Sequence, residues 1–290
     1  MKHQDFIIAV ITRGRVNTQV FLENVPEHIR SLVTLCCHPG ELQMHKKRWG
    51  NRLANIIEYG KDCTNLGEAR HWLMEYCRKN SIRYAIQVDD NVRFAARVNR
   101  GGQIDFDLPL LNLTNNFNDD LQSDIIVEMF SRMIYQLSTG YGMVGISHRS
   151  GNNRKKQEVE DCARLFGIWG INVKKYFNLK YRFYDNPYKE DFHMQLAFLT
   201  SGIPTCCNNS FTFDKAKSNS NGGCSIYRNL ENVNRGSELL HKFFPQFVNL
   251  VDKYCNHWDN LGEGTKMRKE TVIQWKKAYQ AGLKNKHSNG

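Results

Sequence analysis

An α/β fold built on a parallel, doubly wound sheet is what the first ninety residues predict, on three observations. Short apolar runs end abruptly in polar or glycine-containing turns. A stretch of helical periodicity lies between two of these runs. Strand and helix then alternate in an order that favours parallel pairing, with helices on both faces.

Phe6-Ile-Ile-Ala-Val-Ile11 is the first buried strand, stopped by Thr12-Arg-Gly-Arg15. Leu32–Cys37 is the second, ended by His38-Pro-Gly40, and Asn55–Tyr59 is a third. From Leu66 to Arg78 the residues Ala69, Trp72, Leu73, Tyr76 and Cys77 recur at helical spacing, with Thr64 or Asn65 as the cap. Tyr84–Val88 is the next strand and runs into Asp89-Asp90-Asn91. Residues 99–120 read as a loop, Ser123–Thr139 as a helix, Met143–Ser147 and Ile168–Tyr176 as strands, and His148–Lys156 as a polar loop. Phe192–Thr200 reads as a helix preceded by Glu190-Asp191. Asp214–Gly223 reads as a loop, Ser237–Cys255 as a helix, and a short segment follows around Val272–Ala281. No repeat and no linker divides the chain.

The chain has 290 residues, 41% hydrophobic and 24% charged, enough to bury a substantial core. No apolar run reaches bilayer-spanning length, and no leader pattern follows the first one, so a soluble, unexported protein is expected. Nine cysteines without a C-x-x-C pair argue against a zinc ribbon and for a reducing, cytoplasmic setting. Lys and Arg outnumber Asp and Glu by 40 to 29, a net charge of +11. The excess gathers in Lys46, Lys47, Arg48 and Arg52 around Trp49, in Arg149, Arg154, Lys155 and Lys156, and in a tail of Lys266, Arg268, Lys269, Lys276, Lys277, Lys284 and Lys286. Such clusters attract a polyanion, and Lys46, Lys47, Arg48, Arg154, Lys155 and Lys156 are the candidate contacts to a nucleic acid. A solvated, soluble surface is the plainer alternative.

Ligands of parallel sheets bind at the carboxyl ends of the strands, where Thr12–Arg15 and Asp89–Asn91 both fall. Adjacent carboxylates repel unless something cationic relieves them, and hard oxygen ligands suit Mg²⁺ or Mn²⁺. Asp90, with Asp89 and Asn91, is therefore the candidate metal site, and a metal there would neutralise a departing diphosphate. A carboxylate pair capping a turn is the common alternative. Glu190-Asp191 suits a general base that takes a proton from an attacking hydroxyl, or simply the favoured charge at a helix start. Thr12-Arg-Gly-Arg15 suits a phosphate or a nucleotide base, and Gly222-Gly223 admits a close ligand. His241 and His257 are possible extra metal ligands and more ordinary as structural residues. Trp49 suits base stacking or a half-buried core position.

Taken in order, Thr12-Arg-Gly-Arg15, Asn65-Leu-Gly-Glu-Ala-Arg-His-Trp72 and Gln87-Val-Asp-Asp-Asn91 resemble the TET-associated glycosyltransferases, phage enzymes of the GT-A type that decorate modified DNA bases. Their pattern is S-R-G-R after the first strand, G-x-x-x-A-R-N-W on a helix, and D-D-D ending a strand. Lys189-Glu-Asp-Phe192 resembles their second acidic motif, Gly222-Gly223 with Tyr227 their glycine loop, and Trp275-Lys276-Lys277 their C-terminal W-K-K. The resemblance runs from about Phe6 to Lys277. Thr12 replaces serine, His71 replaces asparagine, and Asn91 replaces the third aspartate, keeping a ligating oxygen without its charge.

The resemblance implies one GT-A-like domain over 1–290, with a mixed, mainly parallel sheet. Residues 1–98 would form the nucleotide-sugar half, 99–264 the acceptor half and 265–290 a basic tail. It implies a UDP-sugar donor, a divalent metal, and DNA carrying 5-hydroxymethylcytosine or 5-hydroxymethyluracil as acceptor, with the base flipped out of the stack. Thr12, Arg13, Arg15, Arg70, Asp89, Gly222 and Gly223 would bind the donor, Asp191 would be the base, and Glu190 would support it. Three rivals stand beside this reading: a GT-A enzyme with a non-DNA acceptor, an inactive nucleic-acid-binding module, and a nuclease with paired carboxylates.

Overall fold

The computed structural model describes residues 5–215, 229–254 and 267–288. Twelve strands are formed: β1 (Phe6–Thr12), β2 (Val33–Cys37), β3 (Asn55–Glu58), β4 (Tyr84–Asp89), β5 (Val92–Arg97), β6 (Leu110–Asn112), β7 (Met143–His148), β8 (Val159–Asp161), β9 (Ile168–Asn172), β10 (Thr205–Lys215), β11 (Val248–Tyr254) and β12 (Met267–Ile273). The helices are α1 (Val20–Asn24), α2 (Glu27–Arg30), α3 (Leu42–Trp49), α4 (Leu66–Lys79), α5 (Leu113–Asn116), α6 (Asp119–Ser138), α7 (Val173–Phe177), α8 (Glu190–Thr200), α9 (Leu230–Phe243) and α10 (Trp275–Ser288).

The main sheet has the order β3-β2-β1-β4-β9-β7-β10-β5-β6, with β8 against the first half of β10. Strands β1, β2, β3, β4, β6, β7 and β10 run one way and β5, β8 and β9 the other, so the sheet is mixed and mainly parallel. Alternation along a strand explains why the early runs read as continuously apolar. Ile8 and Val10 of β1 point into one core with α1, α2 and α6, while Ile7 and Ala9 point into the other with α4 and α8. Both faces are covered, as a doubly wound sheet requires. Helix α4 starts where expected: the Asn65 side chain accepts from Glu68 N (3.1 Å). Gly67 packs against the turn at residues 183–185, where a Cβ would lie 2.6 Å from the Phe183 carbonyl oxygen.

Several sequence expectations change, and the loop expected over 99–120 carries β6, α5 and the first residues of α6. Strand β9 ends at Asn172 instead of running to Tyr176, because Asn172 caps α7 by accepting from Lys175 N (3.1 Å). The helix expected over Ser237–Cys255 is α9, already begun at Leu230 and finished at Phe243. Pro245 disfavours helix in the residue before it, and the chain re-emerges as β11, paired with β12. The expected loop at Asp214 is the end of β10, an eleven-residue strand. Its polar content hid it: Asn208, Asn209, Ser210 and Thr212 are wholly buried. They are satisfied from the side, Asn209 Nδ2 donating to the Gln157 carbonyl (2.9 Å) and Ser210 Oγ to Glu158 (2.8 Å).

Among the described residues no helix is long and apolar enough to cross a membrane, and all seven described cysteines are free. Gly222, Gly223, Tyr227, His257 and Lys266 lie outside the described residues.

Candidate functional site

One buried guanidinium joins the carboxyl end of β4 to the start of α8. Arg70 of α4 donates to Glu190 Oε1 (2.5 Å) and lies 3.5 Å from Asp89 Oδ1. Its plane is supported by Trp169 of β9, 4.9 Å below. Gly67 sets how deeply α4 sits, and thereby where Arg70 reaches. The two acidic motifs, a hundred residues apart in sequence, thus share one cation.

The two adjacent aspartates face different ways. Asp89 is partly exposed, and its second oxygen accepts from Lys215, the last residue of β10. Asp90 is turned inward, with one oxygen on Arg15 and the other accepting from Thr12 Oγ1 (2.8 Å). Gln19 donates to Thr12 Oγ1 (2.7 Å) and to the Arg15 carbonyl (2.9 Å), and Phe21 N donates to the Asp90 carbonyl (3.0 Å). Burial pushes the Asp90 carboxyl up, and Arg15 and Thr12 pull it back. A cation at Asp90 would have to displace Arg15 from a nearly closed site. Asp90 thus anchors the Thr12–Arg15 turn through Arg15 and Thr12, as Asp89 is tied to Lys215. The turn has a second anchor, since Gly14 N donates to Glu41 Oε1 (2.8 Å). Arg13 reaches the Thr64 carbonyl (3.1 Å) at the mouth of α4.

The described residues hold no cluster of three or more His, Cys, Asp or Glu side chains able to chelate an ion. What they offer at this strand end is Asp89, partly exposed with its oxygens toward Lys215 and Arg70, and the neutral amide of Asn91 two positions on. That set is too thin for a protein-only site. It fits a cation arriving with phosphate oxygens, as Mg²⁺ sites of one or two carboxylates plus substrate phosphates do.

Glu190 and Asp191 occupy the first turn of α8, complementing its dipole. Glu190 is buried and committed to Arg70, whereas Asp191 is half-buried, with Oδ1 accepting from Phe192 N (2.8 Å). Lys189, just before them, donates to Thr271 Oγ1 (3.2 Å). Burial, helped by Arg164 and Arg268, brings its ammonium down to about 8. Trp275 meets Phe192 edge to face at 5.8 Å, so the Lys189–Phe192 and Trp275–Lys277 motifs are in contact.

His193 of α8 is wholly buried, ringed by Tyr181, Phe243 and Phe244, with neither ring nitrogen hydrogen-bonded. Burial pushes its pKa down to about 3. The unfolded chain binds this proton near pH 6.5, while the folded one stays neutral until about 3. Stability should therefore fall as pH drops from 6.5 towards 3, by about 1.4 kcal/mol per pH unit from this group. His193→Phe should flatten that limb in urea titrations between pH 4 and 8.

The basic clusters separate. Lys46 and Lys47 are exposed on α3, but Arg48 is paired with Glu23 (2.5 Å), and Trp49 is buried beneath Arg48 and Arg52. Trp49 is thus a core residue. Arg154, Lys155 and Lys156 line a cleft of 790 Å³ beyond β7, four strands from β2 in the sheet order. Lys155 is paired there with Glu160 (2.6 Å). His241 is structural, bonded through Nδ1 to the Val248 carbonyl (2.6 Å).

Lys215, Trp169, His148 and Phe166 escaped the sequence reading. His148 ends a strand at the ligand-binding edge and was findable by that rule. Lys215 sits on an unread strand, and the role of Trp169 exists only through α4.

A profile of the family described as TET-Associated Glycosyltransferase matches residues 6–223. The Trp275–Lys277 motif lies beyond the match. No curated protein matches the sequence significantly. Among solved structures, S. aureus TarS 1–349 in complex with UDP has a TM-score of 0.47 at 10% identity over 82% of this chain. This chain spans 65% of that one. Glucosyl-3-phosphoglycerate synthase from Mycobacterium tuberculosis, with Mn²⁺, UDP and glucosyl-3-phosphoglycerate, has a TM-score of 0.47 at 8% identity, covering 93% of this chain and 88% of its own. GalNAc-T7 with UDP, GalNAc and Mn²⁺ has a TM-score of 0.41 at 11% identity, over 82% of this chain and 48% of its own.

Proposed function

Because the chain belongs to the TET-associated glycosyltransferase family, we propose that it moves a sugar from a UDP-sugar to the hydroxymethyl group of a 5-hydroxymethylpyrimidine in DNA. The observation that carries the reading is Arg70, which ties Asp89 at the end of β4 to Glu190 at the start of α8. A donor diphosphate at Asp89 would then lie beside the carboxylates that handle the acceptor.

In this reading residues 1–98 form the donor half, with Thr12, Arg13, Arg15, Arg70 and Asp89 around the nucleotide. Gly222 and Gly223, outside the described residues, are the further expected donor contacts. Asp89 and Asn91 would hold a Mg²⁺ or Mn²⁺ ion, which would supply positive charge against the departing diphosphate. Residues 99–264 form the acceptor half. Asp191 takes the proton of the acceptor hydroxyl, the freed oxygen bonds to the anomeric carbon, and the bond from that carbon to UDP breaks. Glu190, held by Arg70, keeps α8 in register with the donor. The basic clusters, with the tail over 265–290, hold the DNA backbone without reading its sequence.

The test is mass spectrometry of nucleosides from hydroxymethylated DNA after incubation with the protein, Mg²⁺ or Mn²⁺, and a panel of UDP-sugars. A mass gain of one sugar on the hydroxymethylated base alone is expected. Equal transfer to the free hydroxymethylated nucleotide would remove DNA as the acceptor. Hydrolysis of the UDP-sugar with no DNA product would place the acceptor elsewhere.

A further inference from the structure

The cleft beyond β7 contains more cation than it can neutralise. Arg154, Lys156, Arg164 and Lys276 line it, all exposed, and none has an acidic partner within salt-bridge distance among the described residues. Glu160, the acid in its lining, is already taken by Lys155. By contrast, near the amino end of β4 Arg78 is matched to Glu75 (2.6 Å) and Arg83 to Asp5 (2.5 Å).

The same cleft carries aromatic surface. His148 stacks on Phe166 with centroids 5.5 Å apart and planes at 27°, and Phe213 braces both rings edge-on at 5.3 Å. Ser150 N donates to His148 Nδ1 (3.2 Å), which leaves the proton of the neutral ring on Nε2 as a hydrogen-bond donor. Burial pushes the His148 pKa down, in keeping with a neutral ring. Arg164 bridges from this stack to the acidic helix, 4.8 Å from the Phe166 centroid and 4.6 Å from that of Phe192, the neighbour of Asp191. Lys215, bonded to Asp89, lies 5.6 Å from the Phe166 centroid on the donor side.

Resting on the acceptor reading above, we propose that this cleft receives an unpaired nucleotide of a nucleic-acid strand. The base stacks on the His148–Phe166 pair, and Arg154, Lys156, Arg164 and Lys276 hold the flanking phosphates. Separated cations around a stacked aromatic pair suit a strand with both phosphates and π-faces, and a simple anion would use only the former. Lys276 comes from α10, beyond the segment matched by the family profile, so the C-terminal helix completes the acceptor site. Helix α10 is fixed against α8 by Gly282, where a Cβ would lie 2.2 Å from the Leu199 carbonyl oxygen.

The experiment is fluorescence anisotropy with a labelled single-stranded oligodeoxynucleotide and a blunt duplex of the same sequence. Wild type is compared with His148→Ala, Lys156→Ala and Lys276→Ala, each checked for an unchanged melting temperature. His148→Ala should weaken single-strand binding roughly 5–100-fold and duplex binding far less. Each lysine variant should lower the log–log salt slope for the single strand by about 0.7. Variants that bind the single strand like wild type, or a His148→Ala effect equal on strand and duplex, would overturn the proposal. Sugar transfer persisting with cleft variants that bind normally overturns the cleft alone. Sensitive binding without transfer to hydroxymethylated DNA supports the cleft and overturns the acceptor reading.

Discussion

Replacing Asp191 by asparagine should lower sugar transfer roughly 10²–10⁴-fold while leaving UDP affinity nearly unchanged. An unassisted hydroxymethyl group is a poor nucleophile at neutral pH, so removing a positioned proton acceptor acts on the bond-forming step. The structure distinguishes the two acids of the pair for this purpose. Glu190 is buried with its oxygen on Arg70, whereas Asp191 is half-buried with Oδ1 accepting from the next backbone N–H. Isothermal calorimetry with UDP and single-turnover transfer at saturating donor separate binding from chemistry. A variant that loses UDP affinity but keeps its single-turnover rate would give Asp191 a donor role. One direct displacement also demands inversion at the anomeric carbon, so a retained product by NMR would remove the base from the mechanism.

Asp89→Ala and Asp90→Ala should fail for opposite reasons. Loss of the Asp89 carboxylate should lower turnover about 10²–10³-fold and blunt the response to added Mg²⁺ or Mn²⁺, with little change in melting temperature. Asp90→Ala should instead unfold the protein more easily. It leaves Arg15 and Thr12 facing a nearly closed space, and breaking a buried ion pair costs about 3–5 kcal/mol. At this chain length that is a melting-temperature loss on the order of 10 °C. Thermal melts and EDTA-treated activity assays on both variants settle the assignment. Full activity of Asp89→Ala together with full wild-type activity in EDTA would overturn the metal. An Asp90→Ala protein that melts like wild type but is inactive would return the cation to Asp90.

The contrast between these residues shows what was legible in the sequence. Strands buried on both faces announce themselves as apolar runs, so β1, β2 and β4 and the turns after them could be read directly. The ligand-binding edge then followed from topology. Which way each aspartate points could not be read, because the strand runs into a turn at Asp90 and the outcome depends on Arg15 and Lys215. The latter lies on β10, whose buried Asn and Ser residues disguise a central strand as a loop. The pairing of Arg70 with Glu190 was not read from the motifs. Its physical basis needs Trp169, a side chain that nothing local marks as functional. The basic clusters were legible as charge but not as availability: Arg48 and Lys155 are spent on Glu23 and Glu160, while Arg164, outside every cluster, faces the cleft.

Arg70 has one guanidinium and two acidic clients. Whatever alters the charge at Asp89 alters how much of that cation Glu190 commands, and the reverse holds equally. Occupancy at one end of the site is thereby linked to affinity at the other, and linkage is reciprocal. The factor by which a bound nucleotide changes acceptor affinity is the factor by which acceptor changes nucleotide affinity. In the proposed arrangement Arg70, between the donor and acceptor ends of the site, would set the cooperativity with which the two substrates assemble.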